Sequence, residues 1–192
     1  MQRILDQIWA LLTEGAHAGA ERSPFTMVQI ATLGLDGAPR VRTVVLRQVN
    51  RDQRTVTFHT DVRSEKVAEL KKDPRIAMVA CDLDAGLQIR LEGIARIVDR
   101  GERRDAVWNA SRPRTLILYR APLPPGTSIE APSDAHVPPE SDDVERNAGI
   151  ENFCLVDIEV SKIDYLDLSP SGHVRVRFIR DADSWRGVWI AP

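Results

Sequence analysis

Residues 40–72 read RVRTVVLRQVNRDQRTVTFHTDVRSEKVAELKK. Two β-branched runs, Val41 to Val49 and Thr55 to Thr60, are joined by the polar turn Asn50-Arg51-Asp52-Gln53, and the second leads straight into a helix that opens at Asp61-Val62-Arg63-Ser64-Glu65-Lys66. This pattern predicts an antiparallel hairpin feeding a short helix, with Ser64 suited to the N-cap and Asp73-Pro74 as the stop. A helix start presents unpaired backbone N–H groups and the positive end of the macrodipole. Two cations, Arg63 and Lys66, and two hydroxyls, Thr60 and Ser64, lie within one turn of it. Chemically that is a cradle for an anion, foremost a phosphate.

Working outward, Ile4, Leu5, Ile8, Trp9, Leu11 and Leu12 recur at helical spacing and predict a helix over 3–14, ended by the segment from Gly15 to Gly19. Met27 to Leu33 reads as a strand, followed by a turn with Asp-Gly chemistry at Leu35-Asp36-Gly37-Ala38-Pro39. Arg75 to Cys81 and Leu87 to Val98 follow the short helix as two further strands. Five strands with a single helix between them favour a mainly β (α+β) architecture, an antiparallel β-barrel with peripheral helices, over a doubly wound sheet.

Gly101 to Ala110 reads as a helix closed by Arg112-Pro113. Prolines then crowd a polar stretch from Tyr119 to Asp143, read as a long insertion at about 119–146 within one domain spanning 1–192. Strands resume at Phe153 to Val160, Ile163 to Leu168 and Val174 to Arg180, with Ser169-Pro170-Ser171-Gly172 as a turn. The segment Trp185 to Ile190 closes the chain and is expected to pack.

Charge is balanced, with 26 Lys and Arg against 28 Asp and Glu, so no basic field draws in nucleic acid. Cys81 and Cys154 match no metal or redox spacing and are expected to be buried free thiols in a reducing cytoplasm. Neither a secretory signal nor a membrane-length apolar run is evident, which points to a cytoplasmic protein without a membrane partner.

There is no GxGxxG, Walker lysine loop, HExxH or GxSxG. Of the four histidines, His17, His59, His136 and His173, only His59 lies beside the anion cradle. Arg42 and Arg47 flank the apolar run Thr43-Val44-Val45-Leu46 and on a regular strand would face opposite sides. They serve one ligand only if the strand bulges, or at a strand end or subunit interface; otherwise they are solvated edge arginines. Gln88 opens a later strand, where it is either an amide donor to a planar ring or an exposed loop-end residue.

Four segments in order carry a resemblance: Arg42-Thr43-Val44-Val45-Leu46-Arg47; Phe58-His59-Thr60 with Ser64-Glu65-Lys66; Gln88-Ile89-Arg90-Leu91-Glu92-Gly93; and Ser111-Arg112-Pro113. Together they resemble the pyridoxamine 5′-phosphate oxidase-like FMN-binding split-barrel family, over most of residues 25–115 and more weakly through Arg177-Phe178 and Ala191-Pro192. The resemblance implies a homodimeric, FMN-dependent oxidoreductase with a small-molecule substrate and flavin at the interface. Arg42 and Lys66 would meet the FMN phosphate, with Thr60 and Ser64 adding hydroxyls. Thr43, Val44, Val45, Leu46, Arg47 and His59 would line the cofactor, Gln88 would bond its ring, and Arg177 would reach it from the other subunit. No side chain need act as a general base, since the flavin carries the chemistry.

The departures gather on the substrate side. Glu65 stands where the oxidases have a second phosphate arginine, with Arg63 placed to compensate. Arg47, Trp108, Arg112 and Arg175 fall at or near substrate positions. Leu116 replaces a serine, Tyr165-Leu166-Asp167-Leu168 lacks the flavin-stacking tryptophan, and an Arg-x-His pair is reversed as His173-Val174-Arg175. The alternatives are a flavin- or haem-binding sequestration protein of the same fold, a deazaflavin in place of FMN, or an interaction domain with an empty cradle.

Overall fold

Strand β1 (Met27–Leu33) lies between β2 (Pro39–Asn50) and β4 (Arg75–Asp82), and β3 (Thr55–Asp61) flanks β2. With β5 (Leu87–Val98), β6 (Phe153–Asp167), β7 (Val174–Asp181) and β8 (Ser184–Trp189) they form an antiparallel sheet in the order β3-β2-β1-β4-β5-β6-β7-β8. A further pairing of β3 with β6, from Thr55 opposite Glu159 to Asp61 opposite Phe153, closes six of the strands into a barrel. This computed structural model describes residues 1–18, 23–135, 147–170 and 173–192. Closure removes the free edges that a flat sheet would expose, and β7 and β8 extend from β6 beyond the barrel.

Strict alternation explains the core. Val28 and Ile30 on β1, Val44 and Leu46 on β2, and Ile89 and Leu91 on β5 all point inward and are buried. Helix α1 (Gln2–His17) covers the barrel with Leu5, Ile8, Trp9 and Leu12, and the Trp9 ring meets Trp185 at 6.5 Å. The helix runs past Gly15, where the sequence had suggested a stop. A Cβ at Gly15 would lie 2.4 Å from the Phe25 carbonyl oxygen, so the glycine permits close packing inside the helix rather than ending it.

The segments expected as separate strands at 153–160 and 163–168 are one strand, β6. A register shift opposite Glu92 and Gly93 absorbs Ser161 as a bulge, and the strand bends without breaking. Gly93 is needed there, since a Cβ would come within 2.2 Å of the Glu159 carbonyl oxygen. At the C-terminus the expected packing fails for Val188 and Trp189, which are 42% and 57% exposed.

Outside the barrel, α3 (Glu102–Ala110) and α4 (Pro113–Leu116) hold a second small core of Trp108, Leu116, Tyr119, Phe153 and Leu155. The described part of the proline-rich insertion carries 3-10 turns at Ile117–Arg120 and Pro132–Ala135 and is otherwise mostly exposed; residues 136–146, with His136, and the turn residues Ser171 and Gly172 lie outside the described residues. Among the described residues no helix is long and apolar enough to cross a membrane. Cys81 and Cys154 are free; Cys154 is buried, with its thiol pushed up to about 12 by burial, whereas Cys81 is only half-buried.

Candidate functional site

Helix α2 (Glu65–Lys72) begins where β3 ends, and Ser64 occupies its N-cap with extended backbone. The Ser64 hydroxyl does not cap the helix; it donates backward to the Asp61 carbonyl at 2.7 Å. The first-turn N–H groups therefore lack the side-chain acceptor that an N-cap serine supplies. Around this start, Lys66 Nζ donates to Thr60 Oγ1 at 3.1 Å, and Thr60 Oγ1 lies 3.5 Å from Ser64 Oγ.

Arg42 approaches from β2, on the inward row shared with Ile30. Its Nη2 donates to Glu69 Oε2 at 2.7 Å, its Nη1 donates to Thr32 Oγ1, and the Thr32 hydroxyl donates to the same Glu69 oxygen at 2.5 Å. Burial, and next the Arg42 guanidinium beside it, hold the Lys66 ammonium below the ordinary lysine value. Thr60, Ser64 and Lys66 thus meet at the helix start, and Arg42 is tied to the same helix one turn on, at Glu69.

Arg63 is not turned toward that start. Its Nε and Nη2 grip Asp61 at 3.0 and 2.7 Å, and Nη2 also donates to the Ala121 carbonyl at 3.0 Å. It pins the β3–α2 turn to the segment after α4, while Glu65 is exposed, so Arg63 does not stand in for the arginine missing at position 65.

Strand β2 does bulge, between Leu46, opposite Phe58, and Gln48, opposite Thr57. Arg47 is the extra residue of that bulge, and its charge, with that of Arg103, bears on His59, which lies on the outer row of β3. His59 stands edge-on to Phe153 at 5.1 Å, its Nε2 is buried without a partner, and burial, then Arg47 and Arg103, lower its pKa to about 4. Below it, Arg103 Nη2 donates to Asp157 Oδ1 at 2.9 Å, and Thr57 donates to that oxygen at 2.7 Å. Thr57, Arg103 and Asp157 border a cavity of about 450 Å³ with Gln48, Asn50 and Arg96.

Of the apolar run, Val44 and Leu46 are core residues, while Thr43 and Val45 face outward. Gln88 is half-buried on the outer row between Cys81 and Leu166. Arg112 is exposed at the N-cap of α4. Trp108, expected to reach substrate, is fully buried beneath Tyr119 and Phe153, with ring centroids at 6.1 and 5.4 Å. A large aromatic there fills the second core instead of lining an opening.

Arg175 and Arg177 lie on the outer face of β7 and both reach the buried Asp164 of β6, which stands opposite Arg177. Arg175 Nε is 3.0 Å, Arg177 Nη2 3.2 Å and Arg90 Nη2 3.0 Å from its carboxylate. Burial alone would raise the Asp164 carboxyl; the hydrogen bonds and charges of Arg175, Arg90 and Arg177 overcome this and hold it below the usual range. Arg42 points inward and Arg177 outward, from strands that are not neighbours.

The sequence reading missed Glu69, Thr32, Asp164 and Asp157. Only Glu69 left a local trace: it sits three residues after Lys66, on the same side of α2.

A family model described as the FMN-binding domain of pyridoxamine 5′-phosphate oxidase matches residues 6–99. Pyridoxine/pyridoxamine 5′-phosphate oxidase 2 of Arabidopsis thaliana is 32% identical over 173 residues, covering 85% of this chain and 84% of that one. The chain belongs to the pyridoxamine 5′-phosphate oxidase-like FMN-binding family. A pyridoxine/pyridoxamine 5′-phosphate oxidase of Xylella fastidiosa is 37% identical over 109 residues, 55% of this chain and 50% of the relative.

Solved structures agree on the split-barrel fold of this family. A pyridoxamine 5′-phosphate oxidase-related, FMN-binding protein of Nostoc punctiforme superposes with a TM-score of 0.76 at 21% identity, covering 99% of this chain and 97% of its own. PhzG of Burkholderia lata, solved with tetrahydrophenazine-1-carboxylic acid, gives 0.73 at 17% identity, covering 100% and 92%.

Proposed function

We propose that this member of the family binds FMN non-covalently and works as a homodimeric oxidoreductase on a small molecule. The observation that carries the reading is the meeting of Lys66, Thr60 and Ser64 at the uncapped start of α2, with Arg42 tied to the same helix through Glu69. Two cations, with the Lys66 ammonium disfavoured first by burial and then by Arg42, form a donor set that a phosphate dianion would satisfy with charge-assisted bonds. That set fits the phosphate end of FMN. Thr43 and Val45, with the backbone of β2, would lie along the ring, and the Gln88 amide would bond it.

Bound FMN would supply the two-electron chemistry; the chain's residues orient it, balance its charge and exclude water. A second copy would bring Arg175 and Arg177 to the flavin edge. The outward position of that arginine group and the exposed apolar Val41, Ile94 and Trp189 support an interface. Free Cys81 and Cys154 suit a reducing, cytoplasmic setting. The Arabidopsis and Xylella relatives are named for pyridoxine and pyridoxamine phosphates. Here the burial of Trp108 and Leu116 removes two groups from the expected substrate phosphate site, which favours a different substrate held by Arg47 and Arg112. The same sealed positions also favour, as a second reading, a flavin- or haem-binding protein without turnover.

The visible spectrum of the purified protein, followed by FMN titration, reduction with a nicotinamide donor and reoxidation by oxygen or candidate substrates, tests this. Flavin that binds and cycles supports the oxidoreductase. Flavin that binds but never cycles, or a haem spectrum, selects the second reading. Colourless protein that ignores added FMN overturns both.

A further inference from the structure

We propose that Glu69 is a positioning residue for phosphate recognition, aligning Arg42 so that the site discriminates FMN from riboflavin; this rests on the flavin reading above. The Glu69 side chain is 0% exposed, and a carboxylate so placed is strongly disfavoured unless paired and hydrogen-bonded. Its Oε2 accepts hydrogen bonds from the Thr32 hydroxyl and from Arg42 Nη2, and Thr32 Oγ1 in turn accepts one from Arg42 Nη1. The single Thr32 hydroxyl proton is thereby assigned, and the Arg42–Thr32–Glu69 triangle fixes the guanidinium plane.

An arginine carries five N–H hydrogens. The triangle occupies one on each terminal nitrogen, and the Arg40 carbonyl lies 3.5 Å from Nη1. The hydrogen on Nε and the second on Nη2 remain, the pair that forms a fork for two phosphate oxygens. The triangle leaves that edge free and anchors Arg42 to Glu69, one turn after Lys66 on α2. Glu69 Oε1 is buried with no partner, so packing within the triangle, not full satisfaction of the carboxylate, holds the residue there. Without Glu69, the long Arg42 side chain regains rotamer freedom that phosphate binding must then remove.

The test is titration of the parent, Glu69→Ala, Glu69→Gln and Thr32→Val with FMN and with riboflavin, read by flavin fluorescence. Both ligands share the ring, so general damage weakens both, whereas a misaligned Arg42 weakens only FMN. The expected result is about a tenfold to hundredfold loss of FMN affinity in Glu69→Ala with riboflavin within about twofold, as for loss of an aligned charged hydrogen bond. Glu69→Gln keeps an acceptor oxygen and should restore FMN to within about fivefold of the parent; Thr32→Val should weaken FMN about fivefold. Unchanged FMN affinity in Glu69→Ala and Thr32→Val, or equal loss of both flavins, overturns the proposal. If Glu69→Ala does not fold, Thr32→Val decides by the same comparison. A parent that ignores FMN overturns the flavin reading and this inference with it, and shows in the parent titration alone.

Discussion

Lys66 Nζ donates to Thr60 Oγ1 across 3.1 Å, linking the first turn of α2 to the strand that closes the barrel. Thr60 lies opposite Cys154 in the β3–β6 pairing, and the Cys154 thiol contacts the Thr60 carbonyl at 3.4 Å. The cradle is thus built on the seam of the barrel, where strand pairing fixes one wall and helix geometry the other. Rigid elements on both sides spare a ligand the cost of ordering a loop.

Arg63→Ala should separate structure from binding. Arg63 is held by Asp61 and the Ala121 carbonyl, so its loss is expected to lower stability by about 1–2 kcal/mol while FMN affinity stays within about twofold. Chemical denaturation and flavin titration of the same variant check this.

Trp108 should act through packing. Trp108→Ala is expected to cost about 3–5 kcal/mol, because the indole fills the core between Tyr119 and Phe153, whereas Trp108→Phe should cost much less. Urea midpoints of the two variants decide it.

Gly15→Ala sets two effects against each other. Helix propensity favours alanine by about 1 kcal/mol, but the new methyl would sit 2.4 Å from the Phe25 carbonyl oxygen. Backbone cannot yield cheaply, so the net change should be destabilising by about 1–3 kcal/mol, measurable as a lower thermal midpoint.

His59 predicts a pH dependence. Its folded pKa of about 4 lies below the ordinary 6.5, so between those values the unfolded chain binds more protons and stability rises with pH. The contribution is complete above 6.5 and lost as pH falls toward 4, at most about 3 kcal/mol over that window. Other groups also titrate there, so the check is the difference between parent and His59→Gln in unfolding free energy at pH 4.5 and 7; the variant should lose less on acidification.

Much of this was legible in sequence because it is local. Alternation marked the strands, and Thr60, Ser64 and Lys66 sit within one turn of a helix whose limits Ser64 and Asp73-Pro74 mark. What escaped was set by distant contacts. Gly15 reads as a stop until Phe25 is packed against it, and Ser161 reads as a strand break until β5 pairs across the bulge. Trp108 reads as a substrate contact until Tyr119 and Phe153 enclose it, and nothing near Arg42 in sequence announces Thr32 and Glu69.

The most direct test of the cradle is FMN titration of the parent, Lys66→Met and Arg42→Ala, followed by flavin fluorescence. FMN should bind the parent, and each variant should bind about tenfold to hundredfold more weakly, as expected for losing one charge-assisted contact to phosphate. A parent with no affinity for FMN, or variants that bind it as the parent does, would contradict the account.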